Sequence, residues 1–528
     1  MNQSVMNHEV QSSIPTTRST LEASFSKAYQ AQLSWSQTKV TVRTAVLNKL
    51  RSLLVQHRFE LADAIATPSR QDYRETVTSE LLPLADTARW LHRKAKRILA
   101  PRYADAGGSP MWLGRLRSTV HRVPCGLVLI IGTWNYPLFL TGAQVLHALA
   151  AGNAAVLKPA PGAERVTNLL IDLLVQAGLP ADLVVVLDSS VQSAKLAVEI
   201  GVDKVVMTGS SQSGRAVLRQ LAETLTPSVM ELSGCDAVYV LPGADIHRVC
   251  DLLLFGLTLN GGATCMAPRR VFVPKKSSEV FHRLLAQRLS SKRQSNWTAR
   301  VSKRTYEKML LGVEDAIQKG ATVFSQGGSN AVPLGSNAFN QMSDSGENEI
   351  DSGEEEMVDC GHLVLTNVNT TMPICSMDLF APLIMIVPVD DWSDALRADS
   401  RCPYALTVSV FGPREDALRI VKFISAGFIS INDLIVPTAD PQLPFGGRGE
   451  SGFGVTRGNE GLLEMTFPKV VSSRIGSWLP HAKPAELSDD QLLDGLLQFS
   501  HHATFLGRIR GLIQTVRTAI SQRKAKKV

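Results

Sequence analysis

Between Gly126 and Leu225 the chain alternates short apolar runs with amphipathic stretches, a pattern that few folds accommodate. The runs at 127–131, 154–157, 183–187 and 204–207 are rich in Val, Leu, Ile, Ala and Met, the signature of strands buried on both faces. Between them, 144–151, 165–176, 193–200 and 214–225 carry the 3–4 spacing of helices. Strands and helices in strict succession imply a parallel sheet covered on both sides. The expected architecture is a doubly wound nucleotide-binding domain.

Upstream, 21–99 reads as helix-rich, with Val46, Leu47, Leu50, Leu53 and Leu54, then Leu81, Leu82, Leu84 and Ala85, at helical spacing. A second α/β pattern follows Glu231. It contains helices near 246–259 and 414–424 and strands at 270–273, 383–389 and 406–411. The stretch 327–361 interrupts it. Asp and Glu crowd there between Ser343 and Asp359 among Ser, Gly and Asn, which predicts an acidic surface insertion.

Composition permits this architecture. A chain of 528 residues exceeds what one core supports, so at least two domains are expected. Its net charge of +7 is small for that length and lies largely in the C-terminal tail, which argues against a nucleic-acid groove. The 7 cysteines include no C-x-x-C pair, so neither a zinc site nor a redox motif is indicated, and no metal is expected. Residues 1–20 lack the apolar stretch of a secretory signal, and no apolar run reaches the roughly 20 residues that span a bilayer. The expectation is a cytoplasmic protein with reduced thiols.

Two side chains suit one chemistry. Cys265 lies in Asn260-Gly261-Gly262-Ala263-Thr264-Cys265, and Glu231 in Met230-Glu231-Leu232-Ser233-Gly234. A thiol can attack a carbonyl to give a thioester, and a carboxylate can then deprotonate the water that releases the acyl group. On a small-residue turn, backbone amides facing the sulfur would lower its pKa. Asn135, in Gly132-Thr133-Trp134-Asn135-Tyr136-Pro137, supplies an amide of the kind that stabilises an oxyanion.

Together with Lys158 at the end of Ala154-Ala155-Val156-Leu157, these segments resemble the aldehyde dehydrogenase superfamily, most closely its class 3 branch. Thr208-Gly209-Ser210 with Gly214 is similar to the family's pyrophosphate turn, and Asp378-Leu379-Phe380-Ala381-Pro382 to its Glu-x-Phe-Gly-Pro. Pro444-Phe445-Gly446-Gly447, Ser451-Gly452-Phe453-Gly454 and Thr466-Phe467-Pro468-Lys469 resemble its closing signature. The resemblance covers 21–469 and implies oxidation of a small aldehyde to a carboxylic acid with NAD or NADP. It implies Cys265 as nucleophile, Asn135 as oxyanion donor and Glu231 as base. The cofactor would lie against Thr133, Trp134, Lys158, Gly209, Ser210, Leu232, Asp378 and Phe380.

The implied organisation is a polar tail at 1–20, helices and the NAD(P)-binding domain at 21–232, and a catalytic domain at 233–466. A closing strand of an oligomerisation element follows at 467–475, then a tail at 476–528, and class 3 relatives suggest a homodimer. Several positions depart from the family. Asp378 replaces Glu, Pro161 stands where an acid commonly follows the ribose lysine, and Ser233, Cys235, Ala263 and Ala381 are unusual. These departures keep two alternatives open: an acylating, coenzyme A-dependent enzyme, which Glu231 argues against, and a non-catalytic dinucleotide-binding scaffold. Trp134, Tyr136, Phe139 and Phe445 suggest an apolar tunnel. In the tail, Phe505, Leu506, Ile509, Leu512, Ile513, Val516 and Ile520 share one helical face, with Arg508, Arg510, Arg517 and Arg523-Lys524-Ala525-Lys526-Lys527 beside them. Such a helix can lie on an anionic membrane or dock on protein.

Overall fold

A computed structural model of the chain describes residues 17–65, 70, 72–104, 113, 116–291, 299–326, 356–475, 482 and 487–525. They divide into two compact units, Met1–Leu99 with Val123–Phe467, and Ala100–Arg122 with Pro468–Val528.

The larger unit holds two sheets. The first has six strands in the order Gly452–Phe453, Ser228–Leu232, Lys204–Gly209, Leu127–Ile131, Ala154–Lys158 and Val184–Val186. All neighbours are parallel except Gly452–Phe453, which runs against Ser228–Leu232. The chain winds outward from Leu127–Ile131 to Val184–Val186, then returns to Lys204–Gly209 on the other side. Ligands of open α/β sheets bind where the winding reverses, beyond the carboxyl ends of the strands. Here those ends deliver Gly132, Lys158, Gly209 and Leu232 to one region.

The second sheet has seven strands in the order Thr322–Gln326, His362–Thr366, Leu383–Val389, Pro268–Pro274, Asp236–Val240, Thr407–Phe411 and Phe428–Ile431. Only the edge strand Thr322–Gln326 is antiparallel. Part of the expected acidic insertion is ordered differently. Met357–Cys360 forms a strand antiparallel to Ala299–Ser302, while 327–355 lie outside the described residues.

The helix Phe139–Ala151 is buried along almost its whole length. Its carboxyl end is closed by Gly152 at φ 100°, which lets the chain turn left-handed. Trp35 Nε1 donates to Leu149 O at 2.9 Å and Gln32 Nε2 to Gly152 O at 3.0 Å, so side chains of the helix Arg18–Gln37 add hydrogen bonds to the buried carbonyls at that end. Its amino end, expected at residue 144, begins five residues earlier because a distant carboxylate caps it: Glu80 Oε2 accepts from Leu138 N at 3.0 Å and from Phe139 N at 2.6 Å. Glu80 is itself buried and paired with Arg70 at 2.6 Å.

The smaller unit contains a three-stranded sheet of Arg102–Tyr103, Leu116–Pro124 and Thr466–Arg474. Residues 100–122, expected within the domain 21–232, therefore group with the C-terminal segment. The hydrogen-bonding edge that Leu116–Pro124 needs is supplied by Thr466–Arg474, and Ser118 and Ser472 hydroxyls meet at 2.8 Å. Leu487–His501 and Phe505–Ala525 form a helical hairpin. A Cβ on Gly495 would stand 2.7 Å from Thr515 Oγ1, so glycine sets how closely the helices approach. Among the described residues of Phe505–Ala525 the buried positions are Gly507, Gly511 and Thr518, while its apolar stripe from Phe505 to Ile520 stays exposed. Among the described residues no helix is long and apolar enough to cross a membrane.

Candidate active site

Cys265 follows a left-handed turn. Asn260, Gly261 and Gly262 have φ of 51°, 61° and 79°, a backbone that favours glycine at its centre. A Cβ on Gly262 would stand 2.8 Å from the backbone of Ala381 and Pro382, so the turn lies directly on that loop. Arg269, buried, locks the contact by donating to Gly262 O at 2.7 Å, to Leu383 O at 3.2 Å and to Ala381 O.

Asn135 reaches the same turn from the carboxyl end of Leu127–Ile131. Its Nδ2 donates to Ala263 O at 3.0 Å and its Oδ1 accepts from Thr133 Oγ1 at 2.8 Å, which fixes the amide's orientation. Asn260 Nδ2 returns a bond to Asn135 O at 2.9 Å, and Tyr136 OH meets Thr264 Oγ1 at 2.6 Å. Glu75 supports this from below, accepting from Asn260 N at 2.7 Å. The Asn135 segment and the Cys265 turn are thus one hydrogen-bonded body.

Glu231 lies in the strand Ser228–Leu232, opposite Gly452 of the antiparallel edge strand. It is not a surface group: it is buried, and its Oε2 accepts from Thr456 Oγ1 at 2.9 Å. Burial raises its pKa, while Arg457 and Thr456 pull the other way. The Cys265 thiol departs from expectation. Burial pushes its pKa well up, and the nearby carboxylates of Glu231 and Asp236 add to the rise. Arg457 and the backbone amide of Cys265 oppose this without reversing it. The turn motif and Glu231 were visible in the sequence; Asp236, and the approach of both acids to the thiol, were not.

The expected tunnel aromatics also differ. Phe139 and Phe445 flank the buried guanidinium of Arg457, whose carbon lies 5.5 and 4.6 Å from their ring centres. Tyr136 packs on Arg70 at 5.3 Å. Trp134, 45% exposed, faces Phe380 at 5.9 Å. Sequence reasoning missed Arg457, Thr456, Asn260, Gln144 and His147. Asn260, just before Gly261-Gly262, carried the one local signal, since asparagine tolerates a left-handed backbone.

Lys158, Gly209 and Leu232, expected to meet the dinucleotide, end strands at the winding reversal. Ser210 caps the helix Ser211–Thr224, its Oγ accepting from Ser213 N at 3.1 Å, and the amino-terminal end of a helix suits a pyrophosphate. Gly214 permits close packing on Leu232, whose Cδ atoms would lie 2.8 Å from a Cβ there. Lys158 ends its strand nearly buried; burial lowers its pKa, and Glu164 and Asp188 oppose that. Asp378 Oδ1 is buried without a partner, and burial raises the carboxyl's pKa despite the Ser233 hydroxyl beside it. An unpaired acceptor there fits a ribose hydroxyl, so these residues suit the cofactor. Cys235, where the family has lysine, bonds Cys375 O at 3.4 Å, and Arg270 grips its carbonyl at 2.7 and 2.9 Å.

The aldehyde dehydrogenase family model matches residues 4–471, and the chain belongs to that family. It is 28% identical over 456 residues to a 4,4'-diapolycopene aldehyde oxidase of Methylomonas sp, covering 85% of this chain and 80% of the relative. To a probable coniferyl aldehyde dehydrogenase of Pseudomonas aeruginosa it is 28% identical over 464 residues, covering 86% and 91%. The fold matches that of a Mycobacterium tuberculosis aldehyde dehydrogenase crystallised with NAD+, at TM-score 0.75 and 23% identity over 88% and 92% of the two chains. The protein is an NAD(P)-dependent aldehyde dehydrogenase, an oxidoreductase that acts on an aldehyde with NAD or NADP.

Proposed function

We propose that this enzyme is hydrolytic, a divergent member most like the class 3 branch, and that Cys265, Asn135 and Glu231 carry its reaction. The observation behind this is the single bonded body of Asn135 and the Cys265 turn, with buried Glu231 electrostatically coupled to the thiol. The Cys265 thiol loses its proton to solvent as its sulfur adds to the aldehyde carbon, and the second Nδ2 hydrogen of Asn135 with the Cys265 amide holds the resulting oxyanion. Lys158, Ser210 and Asp378 hold the dinucleotide, which supplies the hydride acceptor when bound. Glu231 then takes a proton from the water that cleaves the thioester. Its raised proton affinity brings it towards working pH, where a general base is most effective.

An aldehyde panel run without coenzyme A tests this reading: each turnover should release a free acid, and a requirement for coenzyme A would favour the acylating alternative. The same assays address cofactor choice. Pro161 removes one acid near the adenosine ribose, but Glu164 and Asp188 act on Lys158, and an acid repels a 2′-phosphate. NAD and NADP should differ in kcat/KM by less than about a hundredfold, roughly 2.7 kcal/mol. Glu164→Gln should move the ratio towards NADP by about tenfold. An unchanged ratio would remove Glu164 from cofactor selection.

A cytoplasmic homodimer is the proposed assembly. Thr466–Arg474 is an edge strand whose Phe467, Val470 and Val471 are exposed, a surface suited to extension by a partner's strand. For the helical hairpin we favour an anionic membrane, because Arg508, Arg510 and Arg517 accompany an uncovered apolar stripe. Flotation with vesicles containing phosphatidylserine should carry the protein, and Arg508→Glu with Arg517→Glu should abolish that at 0.15 M salt, where each basic residue near the surface contributes about 1 kcal/mol. Equal flotation of the variant would point instead to docking on protein.

A further inference from the structure

Beside Glu231 lies a small cavity walled by Leu140, Thr456 and Met465 and by the side chains of Gln144, His147, Glu231 and Arg457. About 10 Å³ of it is open to the centre of a water-sized sphere, the room that one water molecule needs. Each of those last four side chains is more than nine-tenths buried, and each has one atom without a protein partner: Gln144 Oε1, His147 Nε2, Glu231 Oε1 and Arg457 Nε.

Bonds outside the cavity take up other polar atoms of these groups. Gln144 Nε2 donates to Thr208 Oγ1 at 2.9 Å, which leaves its oxygen for the cavity. His147 Nδ1 lies 2.7 Å from Ala143 O, so that nitrogen carries the proton and Nε2 presents a lone pair. Its ring stacks on Trp90, and burial pulls its pKa down to about 4, so it stays neutral at working pH. Arg457 donates from Nη1 to Thr438 O and keeps Nε–H for the cavity.

Counting donors and acceptors gives an asymmetry. A water molecule donates two hydrogen bonds and accepts two. With Glu231 protonated, the water accepts from Arg457 Nε–H and from the Glu231 acid proton, and donates to Gln144 Oε1 and His147 Nε2. Every group is then paired. With Glu231 ionised, three acceptors compete for two water hydrogens, and one buried acceptor goes unpaired, which is unfavourable. We propose that one water molecule occupies this cavity, and that His147 and Gln144 act through it as positioning residues that raise the proton affinity of Glu231.

This rests on the reading of Glu231 as the deacylation base. In that step Glu231 takes a proton from the attacking water, the new C–O bond forms, the C–S bond to Cys265 breaks and the sulfur leaves as thiolate. The cavity favours the protonated product of that transfer, and the proton later passes to solvent. The other charged or titratable groups facing Glu231 are Arg457 and Cys265, with Asp236 acting on Cys265 and Arg70 and Glu75 reaching Tyr136. The proposed water adds hydrogen-bond stoichiometry to that charge balance.

The test is His147→Phe, which keeps a ring against Trp90 but removes the acceptor, with Gln144→Met as a second variant should the first fail to fold. Either leaves two acceptors for two water hydrogens when Glu231 is ionised. The acid limb of the deacylation rate should therefore fall by about one pH unit, with the burst amplitude and the KM for aldehyde unchanged. The infrared carboxylic-acid band that Glu231→Gln abolishes should titrate at correspondingly lower pH. If that band and the acid limb stay where they are in the parent enzyme, the proposal is overturned. Should Glu231→Gln turn over normally, the base assignment fails. The infrared titration would still report whether His147 governs the Glu231 proton.

Discussion

Cys265→Ala is expected to abolish aldehyde oxidation, by at least about a thousandfold, while dinucleotide binding followed by fluorescence stays near that of the parent. The thiol is the only atom in the site proposed to bond the substrate covalently, whereas Lys158, Ser210 and Asp378 lie on other segments. Substantial residual oxidation would sink the assignment. Alkylation needs care, because burial and two acids hold the Cys265 thiol protonated in the free enzyme. Cys402 is the thiol pulled down, first by the Cys235 thiol beside it and further by Arg270. Iodoacetamide at neutral pH should therefore reach Cys402 first, and labelling of Cys265 is best read in a Cys402→Ser background.

Glu231→Gln should separate the two halves of the reaction. A burst of reduced nicotinamide should persist and then stall, with the acyl group on Cys265 visible by intact-mass spectrometry, because hydrolysis lacks its base. The pH dependence of the burst has a predictable sign. Glu231 is one of the charges that raise the Cys265 pKa, and a neutral glutamine removes that repulsion. The burst in the variant should therefore begin at lower pH than in the parent. Full steady-state turnover would show that another group activates water.

Strands buried in the sheet interiors were the most legible part of the chain. Leu127–Ile131 and Leu383–Val389 coincide with their apolar runs, because a parallel strand covered on both faces leaves no polar alternation to confuse its ends. The start of Phe139–Ala151 was not legible, since its cap comes from Glu80, distant in sequence. The same distinction runs through the site. Cys265, Glu231 and Asn135, the proposed catalytic set, stand in local motifs, so spacing and residue type were enough to nominate them. Thr456, Arg457, Gln144 and His147 have ordinary local contexts, and only the fold brings them to one cavity. Likewise the Cys265 turn was read well, but its electrostatics were not, because Asp236 and Glu231 reach it through sheet topology.

The contact between Gly262 and the Ala381–Pro382 backbone has a consequence for motion. With no room for even one carbon between them, and Arg269 bonded to both sides, the nucleophile turn cannot loosen while the Asp378 loop stays put. Fluctuations of the thiol and of the carboxylate proposed to hold the cofactor's ribose are thus correlated. Jitter that would otherwise blur the distance between two reactants is converted into joint displacement, which leaves their separation nearly constant.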